Sequence, residues 1–271
     1  MEEALTLNGK LLLFGLDSEA SMKIYMMLLD MLIVVFIVWL GSVGRKRKPG
    51  GPQNLVEWTV TYLCNYADSI IGEKDAPRYY PLIVMLFLYI FVGNLLGLIP
   101  GLVSPTASFS VTVTLAVMVW VYTWIDGIAH KGPAKYFAHY AGGPSVPMAI
   151  KPLLFFVELL SDFSRPISLS FRLFGNIVAK EILLSVLVML ILLFGPGFID
   201  NLKHANAIGA GIDGFIFILV AVLRPLVVLL GVLVSLIQAG VFTILTAIYI
   251  AGASVSHEEH STDDEKHHVN V

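Results

Sequence analysis

The feature that most constrains this chain is the length of its runs without a charged residue. Residues 79–125 contain no Asp, Glu, Lys or Arg. A membrane-spanning helix needs about 20 consecutive apolar residues, so this run is long enough for two spans and too long for one. Hydrophobic residues make up 57% of the chain and charged residues 14%, whereas soluble domains carry about 25% charge. The sequence therefore predicts a polytopic membrane protein.

Charge and motif content exclude several other classes of protein. The formal net charge is −3, which argues against binding a run of nucleic-acid phosphates. Cys64 is the one cysteine, so neither an internal disulfide nor a four-cysteine metal site can form. Walker and dinucleotide-binding motifs are absent from the sequence. We therefore expect no nucleic-acid partner, no cofactor, no bound metal and no catalytic chemistry in this chain.

The first predicted span covers residues 22–44 and follows an N-terminal segment at 1–21. It ends in the basic cluster Arg45–Lys48. Because basic residues next to a span collect on the cytoplasmic side, this end is expected to be cytoplasmic and the N-terminal segment to lie outside. With five spans in all, the C-terminus would then also be cytoplasmic.

The next segments alternate between surface and membrane. Residues 53–77 mix acids with aromatic and aliphatic side chains, which is typical of an amphipathic helix at the membrane surface. Spans at 79–100 and 108–126 follow, joined by a turn rich in Pro and Gly. Residues 126–143 carry lysines and tyrosines and are predicted to form a solvated cytoplasmic loop.

Two long apolar stretches close the chain, at 148–194 and 206–255. The sequence Gly195-Pro196-Gly197 is expected to end the first of them. Each exceeds a bilayer core of roughly 30 Å if fully helical, so strong tilt is predicted. The fold class is therefore all-α, with about five membrane helices, one amphipathic interfacial helix, and a last pair that is long and strongly tilted. The acidic, histidine-rich tail at 256–271 is predicted to be disordered, and metal binding or proton buffering is its alternative role.

A polar stripe marks the helix predicted over 148–194. At 100° per residue, five polar side chains lie within about 40° of Arg172, whereas Glu181 lies on the opposite side. Polar groups inside a membrane are costly and suggest function. The five are Glu158, Ser161, Arg165, Ser168 and Asn176.

Arg172 is the least ordinary of these residues because it lies far from both ends of an apolar stretch. An arginine cannot lose its proton, and no acid lies on its face within one helical turn. Its partner is therefore expected on another helix or another subunit. Lys151 and Lys180 are interpreted differently, as lysines whose long stems carry the charge toward an interface. In the last helix, Gln238 shares a face with Gly231 and Arg224, and an amide there can bond across a helix pair.

Four ordered motifs resemble subunit a of the rotary F-type ATP synthases, and the resemblance spans about residues 22–255. That family has S-L-x-x-R-L-F-G-N followed five residues later by Glu, and Arg172, Asn176 and Glu181 occupy those places. The other three motifs are an E-x-x-S…(K/R)-P pattern at Glu158, Ser161 and Arg165-Pro166, an N-x-x-G-L-x-P element at Asn94–Pro100, and an L-x-Q-A-x-V-F motif around Gln238. One departure is Gly231, where many members carry His or Glu.

The resemblance implies a stator subunit that passes ions to the carboxylates of a rotating c-subunit ring. It implies a bacterial inner membrane location, b-type peripheral stalk partners and a soluble ATPase head. Arg172 would separate two half-channels, with Asn176 and Gln238 beside it and with Glu181 and Glu158 lining separate paths. Secondary channel-lining candidates are Ser161, Ser168, Arg165, Ser110 and Asp30.

Three alternatives stay open at the level of sequence. A sodium-translocating version of the same subunit would have the same motifs. A secondary transporter would show an internal repeat with matched broken helices, and the sequence has no such symmetry. A structural scaffold would not explain Arg172 or the polar stripe.

Overall fold

The computed structural model describes residues 6–7, 10–11, 16–42, 51–99, 102–140, 147–203 and 207–254. Three two-residue strands pair antiparallel near the N-terminus, and helices account for most of the remaining described chain. The elements are β1 (Thr6–Leu7), β2 (Lys10–Leu11), β3 (Leu16–Asp17), α1 (Ser18–Ser42), α2 (Gly51–Ile71), α3 (Tyr80–Leu96), α4 (Phe109–Lys131), α5 (Pro133–Tyr140), α6 (Lys151–Lys203) and α7 (Ala207–Ser254). Short 3₁₀ turns occupy Ala76–Arg78 and Pro105–Ala107.

The helical membrane class is confirmed. Among the described residues, four helices are long and apolar enough to cross a bilayer, namely α1, α4, α6 and α7, and α3 is a shorter apolar helix. Together they are the five predicted membrane segments. The basic cluster at 45–48 and the tail at 256–271 lie outside the described residues.

Helix α2 has the amphipathic character expected of residues 53–77. Leu63, Ala67 and Ile71 are buried against the rest of the protein, whereas Trp58 and Tyr62 are exposed. The helix ends at Ile71 and is followed by Gly72, whose φ of +101° favours glycine and whose N–H donates to the Asp68 carbonyl at 3.0 Å. The chain then turns through Ala76–Arg78 into α3.

Helix α6, with 53 residues, is longer than the predicted stretch at 148–194, whereas α7, with 48 residues, matches the predicted stretch at 206–255 to within one residue at each end. At 1.5 Å per residue they would extend about 80 and 70 Å. The prediction that Gly195-Pro196-Gly197 ends the first long helix was wrong, because α6 continues to Lys203. Gly195 is buried where an added Cβ would lie 3.3 Å from the Phe217 ring of α7. Packing against α7 therefore outweighs the local preference to break, and Pro196 removes one helical hydrogen bond.

The prediction of a solvated loop at 126–143 was wrong for Asp126–Tyr140. Helix α4 runs on to Lys131, and α5 follows after Gly132. Tyr136 and Tyr140 are buried, and both rings pack in an aromatic cluster with Trp124 and Phe137. Burying these rings is favourable enough to fold a segment whose charges suggested a loop.

The main core lies where α3 packs against α1, α2 and α7, and buried residues of α4 and α6 belong to the same cluster. Ile90 of α3 and Phe242 of α7 are fully buried. On α6, Leu173 is fully buried and Ile177 is almost so. Helix α6 packs along α7 and also contacts α4. One side of α6 is thus fixed in the core, which leaves its other side at the protein surface.

Candidate ion-translocation site

Arg172 lies on the surface side of α6. Its neighbour Leu173 is fully buried, but Arg172 itself is exposed. Within the described part of the chain, its guanidinium makes no ion pair and no hydrogen bond. An unpaired arginine is costly in a membrane, and the described helices do not supply the partner that was expected on another helix or another subunit.

Asn176 lies one turn beyond Arg172 and connects α6 to α7. Its Nδ2 donates to Oε1 of Gln238 at 2.8 Å. Gln238 is buried, and its Nε2 has no partner among the described residues. The sequence predicted that Gln238 would bond across the helix pair, and the structure contains such a bond. The Nε2 of Gln238 is therefore a free donor at the α6–α7 contact, one turn of α6 beyond Arg172.

Glu181 lies on the opposite side of α6 from Arg172 and is half-buried. Its one hydrogen bond within the described residues is long, from the Ser104 backbone N–H at 3.4 Å. Glu181 lines a cavity of about 530 Å³, together with Gly97, Ser185 and Arg224. The carboxylate thus borders a space large enough for several water molecules and has free acceptor capacity.

Lys180 corrects one prediction. The sequence suggested a side chain extended to an interface, but Lys180 is buried at 8% exposure. Its Nζ donates to the backbone carbonyl of Asn94 at 2.8 Å and to Oγ of Ser235 at 3.3 Å. The ammonium thereby joins α3, α6 and α7 next to Glu181.

Gly231 of α7 packs against Leu98 and the stem of Lys180. A Cβ on Gly231 would lie 2.7 Å from Cδ2 of Leu98 and 3.4 Å from Cδ of Lys180. A larger residue at 231 would compete for this space. Leu98 is therefore the side chain that would have to move for a residue with a Cβ at position 231, and the Lys180 stem lies in ordinary contact beside it.

Sequence reasoning missed Lys180 as a site residue, and it also missed the small polar cluster beside it. Oγ of Ser104 donates to the Gly93 carbonyl at 2.7 Å, and Oγ1 of Thr106 donates to Oδ1 of Asn94 at 2.8 Å. The sequence feature that could have revealed this cluster is the N-x-x-G-L-x-P element, because the polar Asn94 in an apolar run requires a partner.

Asp30 lies near this cluster on α1. It is fully buried, and both carboxylate oxygens lack partners among the described residues. Oδ2 lies 2.8 Å from the place where a Cβ on Gly93 would be. Glycine at 93 therefore makes room for the acid, and Asp30 stays a candidate for the path on the Glu181 side.

The other end of the stripe is organised around Asp162, which sequence reasoning did not select. Asp162 is buried and forms an ion pair with Arg165 at 3.0 Å. It also accepts hydrogen bonds from three aromatic side chains of α4 and α5. These are Trp120 at 3.2 Å, Trp124 at 2.6 Å and Tyr140 at 3.0 Å. The signal was an acid three residues before Arg165, the spacing of a helical ion pair.

The remaining candidates are more dispersed. Glu158 is half-buried, and Ser161 and Ser168 are exposed on the same side of α6 as Arg172. Ser110 is exposed on α4, where its Oγ lies 2.9 Å from that of Ser108. The lining of the Glu181 cavity does not include Ser110, so its place in an ion path rests on the sequence alone.

Comparison with known proteins identifies the family. The family model for the ATP synthase A chain matches residues 24–251. A protein of Helicobacter acinonychis (strain Sheeba) named ATP synthase subunit a is 36% identical over 233 residues, covering 84% of this chain and 89% of that protein. A Helicobacter pylori (strain Shi470) protein of the same name matches to the same extent. One from Sulfurovum sp. (strain NBC37-1) is 36% identical over 196 residues, covering 72% of this chain and 79% of the other.

This chain belongs to the ATP synthase A chain family. Membership identifies it as a multi-pass membrane component of an ATP synthase that works with other subunits and carries no catalytic ATP chemistry itself. The matched residues 24–251 include α2 to α6 and most of α1 and α7.

Proposed function

We propose that this chain is the stator subunit that carries protons between the two sides of the membrane and the carboxylates of a c-subunit ring. Coupling requires that an ion cannot cross without turning the ring. The observation that carries the proposal is Arg172, an exposed guanidinium without an anion among the described residues, on a helix long enough to span the bilayer. A ring carboxylate that arrives opposite Arg172 would be favoured in its charged form and would release its proton.

The path on one side of Arg172 would run through the Glu181 cavity. Glu181 has acceptor capacity to spare, and the cavity can hold water that relays protons. Arg224 lies on the cavity wall and Lys180 lies beside Glu181. Two positive side chains disfavour a sodium ion, which needs several oxygen ligands, whereas a proton moves through water and one carboxylate. These charges support a proton rather than a sodium ion.

The path on the other side would begin near Glu158, with Ser161 and Ser168 on the same exposed side of α6. Arg172 would keep the two paths apart, because a fixed positive charge repels a proton that attempts to pass. Asn176 and Gln238 hold the adjacent α6–α7 contact at 2.8 Å. The b-type stalk and the soluble ATPase head would complete the machine, in a bacterial inner membrane with the N-terminus outside.

The decisive experiment purifies the complex through a tag on this chain and reconstitutes it in vesicles. We expect a c-type ring and a soluble ATPase head to accompany the chain, and added ATP to acidify the vesicle interior in sodium-free buffer. A requirement for sodium at alkaline pH would assign the ion as sodium instead. Recovery of the chain without a ring or an ATPase head would overturn the stator role.

A further inference from the structure

Asp162 is a buried carboxylate of α6 that four side chains hold in place. Trp120 Nε1, Trp124 Nε1 and Tyr140 Oη all donate to one oxygen, Oδ2. The other oxygen, Oδ1, faces Nη1 of Arg165 at 3.0 Å. Three fixed neutral donors therefore orient the carboxylate so that its second oxygen is presented to the arginine.

Tyr140 keeps its proton for this role. Burial raises the pKa of its hydroxyl far above the ordinary value, and the neighbouring Tyr136 and Asp162 add to the shift. The hydroxyl therefore stays a donor at any physiological pH. The orientation of Asp162 does not depend on a titrating group of α5.

Arg165 is fixed on its other side as well. Its guanidinium carbon lies 5.0 Å from the ring centroid of Tyr249 on α7, a cation–π distance. Residues of α4, α5, α6 and α7 thus converge on a single ion pair. Its charge is balanced by Asp162 and its position is set by Tyr249.

The two arginines of the polar stripe therefore differ in electrostatic state. Arg165 and Arg172 are seven residues apart, about 10 Å along a helix. Neither can lose its proton, so only a carboxylate can neutralise either one. Asp162 pairs with Arg165, whereas Arg172 makes no ion pair within the described residues.

We propose that Asp162 is a positioning residue that neutralises Arg165, so that, of the two arginines of the polar stripe, only Arg172 stays without an anion among the described residues. The inference rests on the proposed stator role. Without Asp162, Arg165 would place a second fixed positive charge on the path between Glu158 and Arg172. That charge would repel protons at a point where the path must conduct them.

The test uses the intact complex with Asp162→Asn, which keeps the size of the side chain and removes its charge. We expect ATP-driven proton pumping and passive proton conduction after removal of the ATPase head both to fall about tenfold, the effect of one charge near 10 Å at an effective dielectric of about 20. The double variant Asp162→Asn/Arg165→Gln removes both charges and should recover to within about threefold of the original rate. If Asp162 only held the helices together, removing Arg165 as well would not restore the transport rate.

Asp126 provides a matched control. It is also buried and forms an ion pair with Arg78 at 3.7 Å and a hydrogen bond with Tyr79 at 2.5 Å, but none of these partners lies on α6. Asp126→Asn should therefore leave the transport rate per assembled complex unchanged. An equal loss in Asp126→Asn would show a general effect of unpairing buried acids and would overturn the proposal.

Three further outcomes separate the hypotheses. Normal transport in Asp162→Asn, or a double variant as slow as the single one, overturns the role of Asp162. If the complex with Asp162→Asn fails to assemble, the double variant Asp162→Asn/Arg165→Gln is the test. The proposal requires that the double variant assembles and pumps protons. Normal coupled transport in Arg172→Ala would instead overturn the stator role, whatever the Asp162 variants do.

Discussion

Glu181 and Asp162 are carboxylates on the same helix, yet their surroundings are opposite. Asp162 is buried, accepts three hydrogen bonds and faces an arginine. Glu181 is half-buried, has one long hydrogen bond among the described residues and borders a cavity. A carboxylate whose acceptor sites are filled by fixed donors is a poor proton relay, because taking up a proton would break those bonds. Glu181 has no such cost.

The contrast separates two uses of a charge within a membrane protein. At the Asp162 end, aromatic donors of α4 and α5 fix the ion pair, and their rings pack α4, α5 and α6 together. At the Glu181 end, Lys180 bonds to a backbone carbonyl and a hydroxyl, and the acid beside it stays accessible to the cavity. The first arrangement holds a charge in place, and the second leaves a proton site available.

Arg172→Ala tests the boundary between the two ends and should have the largest effect. Arg172 lies nine residues from Glu181 and ten from Asp162, about 14 and 15 Å along the helix. We expect ATP-driven proton transport to fall at least about a hundredfold, the scale for removing one preorganised charge from a reacting centre. The complex should still assemble, because the side chain is exposed and has no anionic partner among the described residues. Pumping by reconstituted vesicles and the amount of co-purified ring are the measurements.

Arg165→Ala is the comparison variant for that experiment. It removes an arginine two turns away on the same stripe, but one already neutralised by Asp162. Its loss of transport should be clearly smaller than that of Arg172→Ala. An equal loss of transport in the two variants would show that pairing with Asp162 makes no difference to the role of an arginine on this stripe.

Glu181→Gln tests the accessible carboxylate. The amide keeps the shape but cannot exchange a proton, so transport should slow roughly tenfold, below the usual range for a positioned proton-transfer group because cavity water can relay part of the flux. Initial rates of vesicle acidification measure this. In contrast with Asp162→Asn, adding Arg165→Gln should not restore the rate. An unchanged rate in the single variant would remove Glu181 from the path.

Hydropathy and charge were enough to predict the membrane class and the five membrane segments, because a bilayer imposes a length and a composition on each span. Arg172 could be selected for the same reason, since a charge far inside an apolar run is conspicuous. The sequence also indicated that Gln238 can bond across the helix pair, and the structure identifies Asn176 as its partner.

What sequence could not supply depends on contacts between helices far apart in the chain. Lys180 was expected at an interface, but its burial is determined by the Asn94 carbonyl and Ser235, 86 and 55 residues away. Asp162 lies outside the narrow polar stripe. It is held by hydrogen bonds from two tryptophans of α4, and helical periodicity does not predict contacts between two different helices. The continuation of α6 past Gly195 likewise depends on packing with Phe217.

Lys180→Met should have the smallest effect and refines the comparison at the Glu181 end. Methionine fills nearly the same volume beside Gly231 but removes the ammonium. Two opposing terms then act on stability: the Asn94 carbonyl loses its donor, and a buried charge no longer has to be desolvated. We therefore expect little change in the thermal midpoint of the complex. Transport should slow by only about threefold, the effect of one hydrogen-bonded charge that orients a neighbour.

Ser235→Ala is the control, since it removes only the longer of the two Lys180 bonds, at 3.3 Å, and should cost less than about twofold. The informative quantity is the transport rate of Lys180→Met relative to Glu181→Gln in the same vesicles. If Lys180 only sets the charge and geometry around Glu181, Lys180→Met stays faster and the double variant is no slower than Glu181→Gln alone. If Lys180→Met is as slow as Glu181→Gln, the lysine itself exchanges the proton. The proton site at the cavity is then formed by Lys180 and Glu181 together and not by Glu181 alone.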